Sequence, residues 1–254
     1  MLQRYKNEEV FSLQTTATKT SFSDNILQLT METENAFKVF VFSKTAGYRH
    51  ESIPAGIKAI RELGESTRAF SIDASEDASL ITADNLPQYT VVIFLQTSGN
   101  FLTEEQLSGL RSYVRGGGGF VGVHCAATGM PGDPWHGELI GAVFTDHPKP
   151  QPGMVTVEKP DHVIVSGLPE KWHLFDEWYN FSRSPRGKVT VLLSIEETGY
   201  EGGKMGYDHP LAWCREFDGG RTFYTSLGHF DEAYDDGKFR SHLLNGILWA
   251  AGEI

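Results

Sequence analysis

Residues 116–129, reading Gly-Gly-Gly-Gly-Phe-Val-Gly-Val-His-Cys-Ala-Ala-Thr-Gly, restrict the fold more than any other part of this chain. Four glycines end whatever helix precedes them. Residues 120–123 then form an apolar run short enough for a buried parallel strand, and Ala126, Ala127 and Gly129 are small enough for a tight turn. A strand that stops abruptly at a tight turn is the outline of a strand-to-helix elbow, which lifts one side chain out at the carboxyl edge of a sheet. Here that edge carries His124 and Cys125. The alternative is a core strand whose His and Cys are merely packed.

The flanking sequence supplies the rest of such a sheet. Residues 37–43 are β-branched and aromatic, and a helical pattern follows through Ile53, Ile57, Ile60 and Leu63. Residues 69–72 read as a short second strand, and residues 90–95 (Thr-Val-Val-Ile-Phe-Leu) as the continuous apolar run of a central parallel strand. Thr103 is a natural cap for a helix that places Leu107, Leu110, Tyr113 and Val114 on one face and ends at the four glycines. Strand and helix alternate as in a doubly wound sheet, whose ligand crevice lies at the carboxyl ends of the strands.

Beyond a further helix expected over 135–144, the pattern changes to shorter runs at 154–157, 174–181, 189–195, 211–217 and 221–225, which read as antiparallel strands appended to the sheet. The last two meet at Asp218-Gly219-Gly220, a hairpin turn signal. An amphipathic helix closes the chain over 238–251. Residues 1–36 are polar, with scattered apolar positions, and read as an N-terminal extension. Residues 37–254 read as one α/β domain.

Composition narrows the partners. With 254 residues, 40% of them hydrophobic, the chain can bury one substantial core. A formal net charge of −11 without a basic cluster argues against nucleic acid and against an anionic membrane surface. Cys125 and Cys214 are too few for a disulfide framework, and no apolar segment reaches signal-peptide or membrane-span length. A cytoplasmic protein is the expectation, with a homo-oligomer left open.

Chemistry-bearing residues fall at strand boundaries. His50, His124, His209 and His229 are all so placed, and histidine is both the natural acid or base near neutral pH and the commonest metal ligand. Asp176 and Glu177 lie in an aromatic stretch with Trp172, Phe175, Trp178 and Tyr179, where strand alternation sends the two carboxylates to opposite faces, one of them to solvent. A carboxylate among such rings acquires a raised pKa or a cationic partner. His50, His124, Glu177, His209 and His229 are the candidate ligands of a divalent metal ion, although no His-x-x-x-His pair makes that assignment specific. His147 and His162, each beside an aspartate in a proline-containing loop, read as loop-shaping residues, with the pocket wall as the alternative. Residues 231–236 read as a solvated acidic loop.

Six ordered motifs resemble those of the trehalose-utilisation, or ThuA-like, family: residues 45–50 (Thr-Ala-Gly-Tyr-Arg-His), 119–126, 146–148 (Asp-His-Pro), 176–179 (Asp-Glu-Trp-Tyr), 209–213 (His-Pro-Leu-Ala-Trp) and 220–229. That family is similar in fold to the class I glutamine amidotransferases, so the resemblance implies a flavodoxin-like, mostly parallel sheet with helices on both faces. It also implies carbohydrate metabolism; a nucleotide cofactor is not expected. Laid on the amidotransferase elbow Gly-x-Cys-x-Gly, the chain puts His124 in the nucleophile slot and Cys125 beside it, while His229-Phe230-Asp231 falls where a His-x-Glu completes the triad.

Three functions follow as expectations. The first is an enzyme acting on a sugar or oxidised (keto) glycoside, with His124, Glu177 and His229 as acid–base residues. His50, Tyr48, Tyr179, His209 and Cys125 would contact the substrate. The second is a non-catalytic domain that binds a sugar or a partner. The third is a cysteine hydrolase using Cys125.

Overall fold

The structure, a computed structural model, describes residues 36–254; the extension expected over 1–36 lies, but for its last residue, outside the described residues. Strands β1 (Phe37–Phe42), β2 (Phe70–Ser75), β3 (Val91–Leu95) and β4 (Gly119–Val123) alternate with helices α1 (Ile53–Thr67) and α2 (Glu104–Arg115). Helix α3 (Pro134–Ile140) and strand β5 (Phe144–Asp146) come next. They lead into β6 (Gln151–Val157), β7 (Lys171–Asp176), β8 (Asn180–Phe181), β9 (Thr190–Ile195), β10 (Pro210–Phe217) and β11 (Gly220–Thr225), and helix α4 (Gly237–Ala251) ends the fold.

Nine strands form one mixed sheet in the order β2-β1-β3-β4-β11-β10-β9-β6-β7, and β5 pairs with β8 in a separate ribbon. The first five strands run parallel, and the rest are antiparallel to their neighbours. The β pleat sorts β1 between two cores: Val39 and Val41 pack with Ala59, Ile60 and Leu63 of α1 and with Leu243 and Ile247 of α4. Phe40 and Phe42 face Leu107, Leu110 and Val114 of α2 and Leu139 and Ile140 of α3. Helices therefore cover both faces, as expected.

Thr103 caps α2 in a reciprocal box, its hydroxyl accepting from the Gln106 amide at 3.3 Å while the Gln106 side chain accepts from the Thr103 amide at 2.9 Å. The glycine run that ends this helix has steric causes. Gly117 is left-handed (φ 95°), and a Cβ on Gly119 would lie 2.4 Å from the Ala250 carbonyl oxygen.

Three local expectations need correction. The run at 221–225 is antiparallel only toward β10; its other edge pairs parallel with β4, placing Thr222 opposite Phe120 and Thr225 opposite Val123. The tight glycine turn dictates the first pairing but leaves the second edge free to complete the parallel core. The helix expected over 135–144 stops at Ile140, because Gly141 adopts a left-handed cap (φ 97°) and residues 144–146 are captured by β8. The strand expected over 174–181 breaks after Asp176, whose carboxylate accepts the amide of Glu177 at 2.8 Å in place of a ladder bond.

Candidate active site

The parallel strands deliver their following loops to one edge. His50 follows β1, His124 follows β4 and His229 follows β11, while Glu177 arrives from the end of β7. At His124 the backbone is left-handed (φ 50°), so the expected elbow exists and its apex is the histidine. A non-glycine residue held there stores strain of the kind found at functional sites.

Four ligand-type atoms converge. His124 Nε2 lies 3.1 Å from His50 Nε2, 3.3 Å from His229 Nδ1 and 3.4 Å from Glu177 Oε2, and His229 Nδ1 lies 3.2 Å from the same carboxylate oxygen. One such atom from each of His50, His124, Glu177 and His229 falls within 4.8 Å of all the others. His124 Nδ1 is 2.6 Å from the carbonyl oxygen of Ser226, so this nitrogen carries the proton and Nε2 presents a lone pair to the cluster. The donor set fits a divalent transition ion: bonds of about 2.0–2.1 Å to a tetrahedral ligand set separate the donors by roughly 3.3–3.4 Å, close to the contact distances given above. The imidazole-rich set and the carbonyl partner behind His124 are also what such an ion selects.

The titration of the cluster is shaped by the same contacts. Burial, helped by the neighbouring His124 and His229, pushes His50 down to about 3. Burial alone would raise the Glu177 carboxyl, but hydrogen bonds and charge from His124 and His229 outweigh it and hold the group well below the usual range. For His229, burial is outweighed by the hydrogen bond and charge of Glu177, and the net direction is upward.

Supporting contacts fix the loops. Asp176, 1% exposed, accepts the amides of Gly228 (2.9 Å), His229 (3.2 Å) and Glu177. Both acidic residues are buried, which corrects the expectation of one at solvent: the strand ends between them, so alternation no longer applies. Ser52 donates to the His229 carbonyl at 2.7 Å, and the Gln96 amide donates to the Gly228 carbonyl at 2.6 Å.

The cluster opens on a cavity of about 470 Å³ whose wall includes Tyr48, Cys125, Phe144, His147 and Tyr179. Tyr48 is 67% exposed at the rim. Tyr179 reaches His124 Nε2 with its hydroxyl at 2.9 Å. His147, read from sequence chiefly as loop-shaping, places Nδ1 3.0 Å from Glu177 Oε1. His162 is elsewhere, 3.5 Å from the Cys214 sulfur.

His209 does not join the ligand group. Its Nε2 donates to the Tyr179 carbonyl at 2.8 Å and its Nδ1 meets Glu197 and Tyr200, each at 2.8 Å, so it supports the wall from behind. Cys125 is 3% exposed beside Thr128, and burial pushes its thiol up. The residue partnering His229 is Glu177, while Asp231 lies on an adjoining recess with Glu51 and Glu232. A cysteine triad does not assemble from these contacts. The acidic loop expected at 231–236 is part of this recess at one end, and at the other Asp236 caps α4 by accepting the amides of Lys238 and Phe239.

A profile of the family described as trehalose utilisation (ThuA) matches residues 38–250. Among solved structures, a protein of Bacteroides uniformis described as ThuA-like is 28% identical, with a TM-score of 0.72 over 84% of this chain and 91% of its own. A second protein so described, from Parabacteroides merdae, is 21% identical with a TM-score of 0.72, covering 86% and 91%. A cytoplasmic protein of Salmonella typhimurium shares the fold at 14% identity and a TM-score of 0.62, covering 84% and 99%. No curated protein matches.

Proposed function

This chain belongs to the trehalose-utilisation (ThuA) family, and from that premise we propose that it is a metal-assisted enzyme of carbohydrate metabolism acting on a sugar or a keto glycoside. The observation that carries the proposal is the convergence of His50 Nε2, His124 Nε2, His229 Nδ1 and Glu177 Oε2 at the edge of a cavity. These four residues would hold the ion. Such an ion supplies Lewis acidity toward a carbonyl or hydroxyl oxygen.

The chain's own groups do the rest. A cavity of about 470 Å³ falls in the range that takes a small organic ligand. Tyr48 and Phe144 offer ring faces to the apolar side of a sugar ring. A ketone acidifies the neighbouring C–H bond, and His147 lies in the cavity wall to exchange that proton while its Nδ1 stays on Glu177. Shifted, buried titratable groups gathered at a cavity favour a chemical role over passive sugar binding. The strand order β2-β1-β3-β4 supports the flavodoxin-like, amidotransferase-like reading of the parallel half.

The test is turnover of a 3-keto-glucoside. The wild type is expected to consume it, and His124→Ala and His229→Ala are each expected to lose at least a hundredfold. Full turnover by both variants would refute the assignment.

A further inference from the structure

Tyr179 is 2% exposed, yet it lines the cavity and its hydroxyl touches the cluster. The ring is held by Phe144 at 4.5 Å between centroids and by His124 at 4.3 Å, and the backbone carbonyl is held by His209 Nε2 at 2.8 Å. Packing thus fixes the ring and with it the reach of the hydroxyl. Its polar partner is His124 Nε2, at 2.9 Å. Since His124 Nδ1 already donates to the Ser226 carbonyl, Nε2 can only accept, and the phenol donates to it.

The same lone pair faces His50, His229 and Glu177. It cannot serve the phenol and a cation together. We infer that Tyr179 is the hydrogen-bond donor to the ligand oxygen that meets the cluster, freed for that role when the His124 lone pair is engaged by a cation. The inference rests on the metal reading of the cluster. The nearby Cys125 sulfur is a weak acceptor and does not compete well for the freed proton. A buried donor left without an acceptor is costly, which makes an oxygen at this point the favoured occupant.

The experiment compares the wild type with Tyr179→Phe, which keeps the ring and removes one oxygen. Zinc titration by calorimetry, followed by titration of the zinc-loaded proteins with acetohydroxamate as an oxygen-donor probe, separates the two roles. The variant is expected to bind zinc as tightly as the wild type or up to about tenfold more tightly, because no O–H bond to Nε2 has to be broken first. Its acetohydroxamate affinity is expected to fall about ten- to a hundredfold. Zinc binding weakened tenfold or more in the variant would overturn the inference by making the phenol a ligand or a support of His124. Unchanged acetohydroxamate affinity would overturn it as well. Failure of the wild type to bind zinc would instead remove the metal reading and this inference with it.

Discussion

Nδ1 of His147 lies 3.0 Å from Oε1 of Glu177, so one carboxylate is divided between a residue in the cavity wall and the cluster beneath, which holds Oε2. The same Nδ1 is 2.9 Å from the Pro148 carbonyl, an acceptor, and it therefore carries a proton that it shares with both oxygens. Outer partners of this kind orient metal ligands and typically matter ten- to a hundredfold.

His147→Phe is expected to weaken zinc binding about tenfold in calorimetric titration, with the thermal midpoint nearly unchanged because the side chain is 37% exposed. Equal affinity in variant and wild type would reduce His147 to a cover over the cavity mouth.

Cys125 lines the cavity but is buried beside Thr128, and its thiol is pushed up by that burial. Cys125→Ser is expected to retain turnover within about threefold, and iodoacetamide at neutral pH is expected to label Cys125 only slowly in the folded protein. Rapid labelling with loss of activity would bring back the cysteine-nucleophile reading.

Acid stability depends on histidines away from the site. Burial lowers His136 and His242 each to about 4, against 6.5 in the unfolded chain, with Asp133 partly opposing the shift at His136 and the Ile164 carbonyl at His242. The folded state keeps these groups neutral, so their contribution is complete above about pH 6.5 and is lost as pH falls toward 4, where the unfolded chain binds the extra protons. Each histidine accounts for up to roughly 3 kcal/mol. Urea midpoints are expected to decline between pH 7 and 4.5, and less steeply in His242→Leu. An identical slope in the variant would show that His242 is not a source of the decline.

How far the sequence reveals this site depends on how local each cause is. The elbow at His124 was legible because a four-glycine stop, an apolar strand and small turn residues lie within fourteen positions, and φ 50° at His124 is their consequence. His50 and His229 were legible because parallel strands send their following loops to a common edge. Glu177 was named from its aromatic surroundings, but the burial of Asp176 alongside it was not, because the amides it accepts at 228 and 229 are some fifty residues away in sequence. His209 carried the same signal as the true cluster members. Its loop instead turns it toward Glu197 and Tyr200, a choice made by side-chain contacts that no spacing records. The parallel pairing of β11 with β4 was likewise hidden, since a hairpin signal specifies one edge of a strand only.

The proposed metal centre comprises His50, His124, His229 and Glu177. Calorimetric titration of chelator-treated protein with zinc tests it most directly. One ion per chain is expected for the wild type and at least a hundredfold weaker binding in Glu177→Gln, with both proteins folded. No binding by the wild type, or binding that Glu177→Gln leaves unchanged, would contradict it.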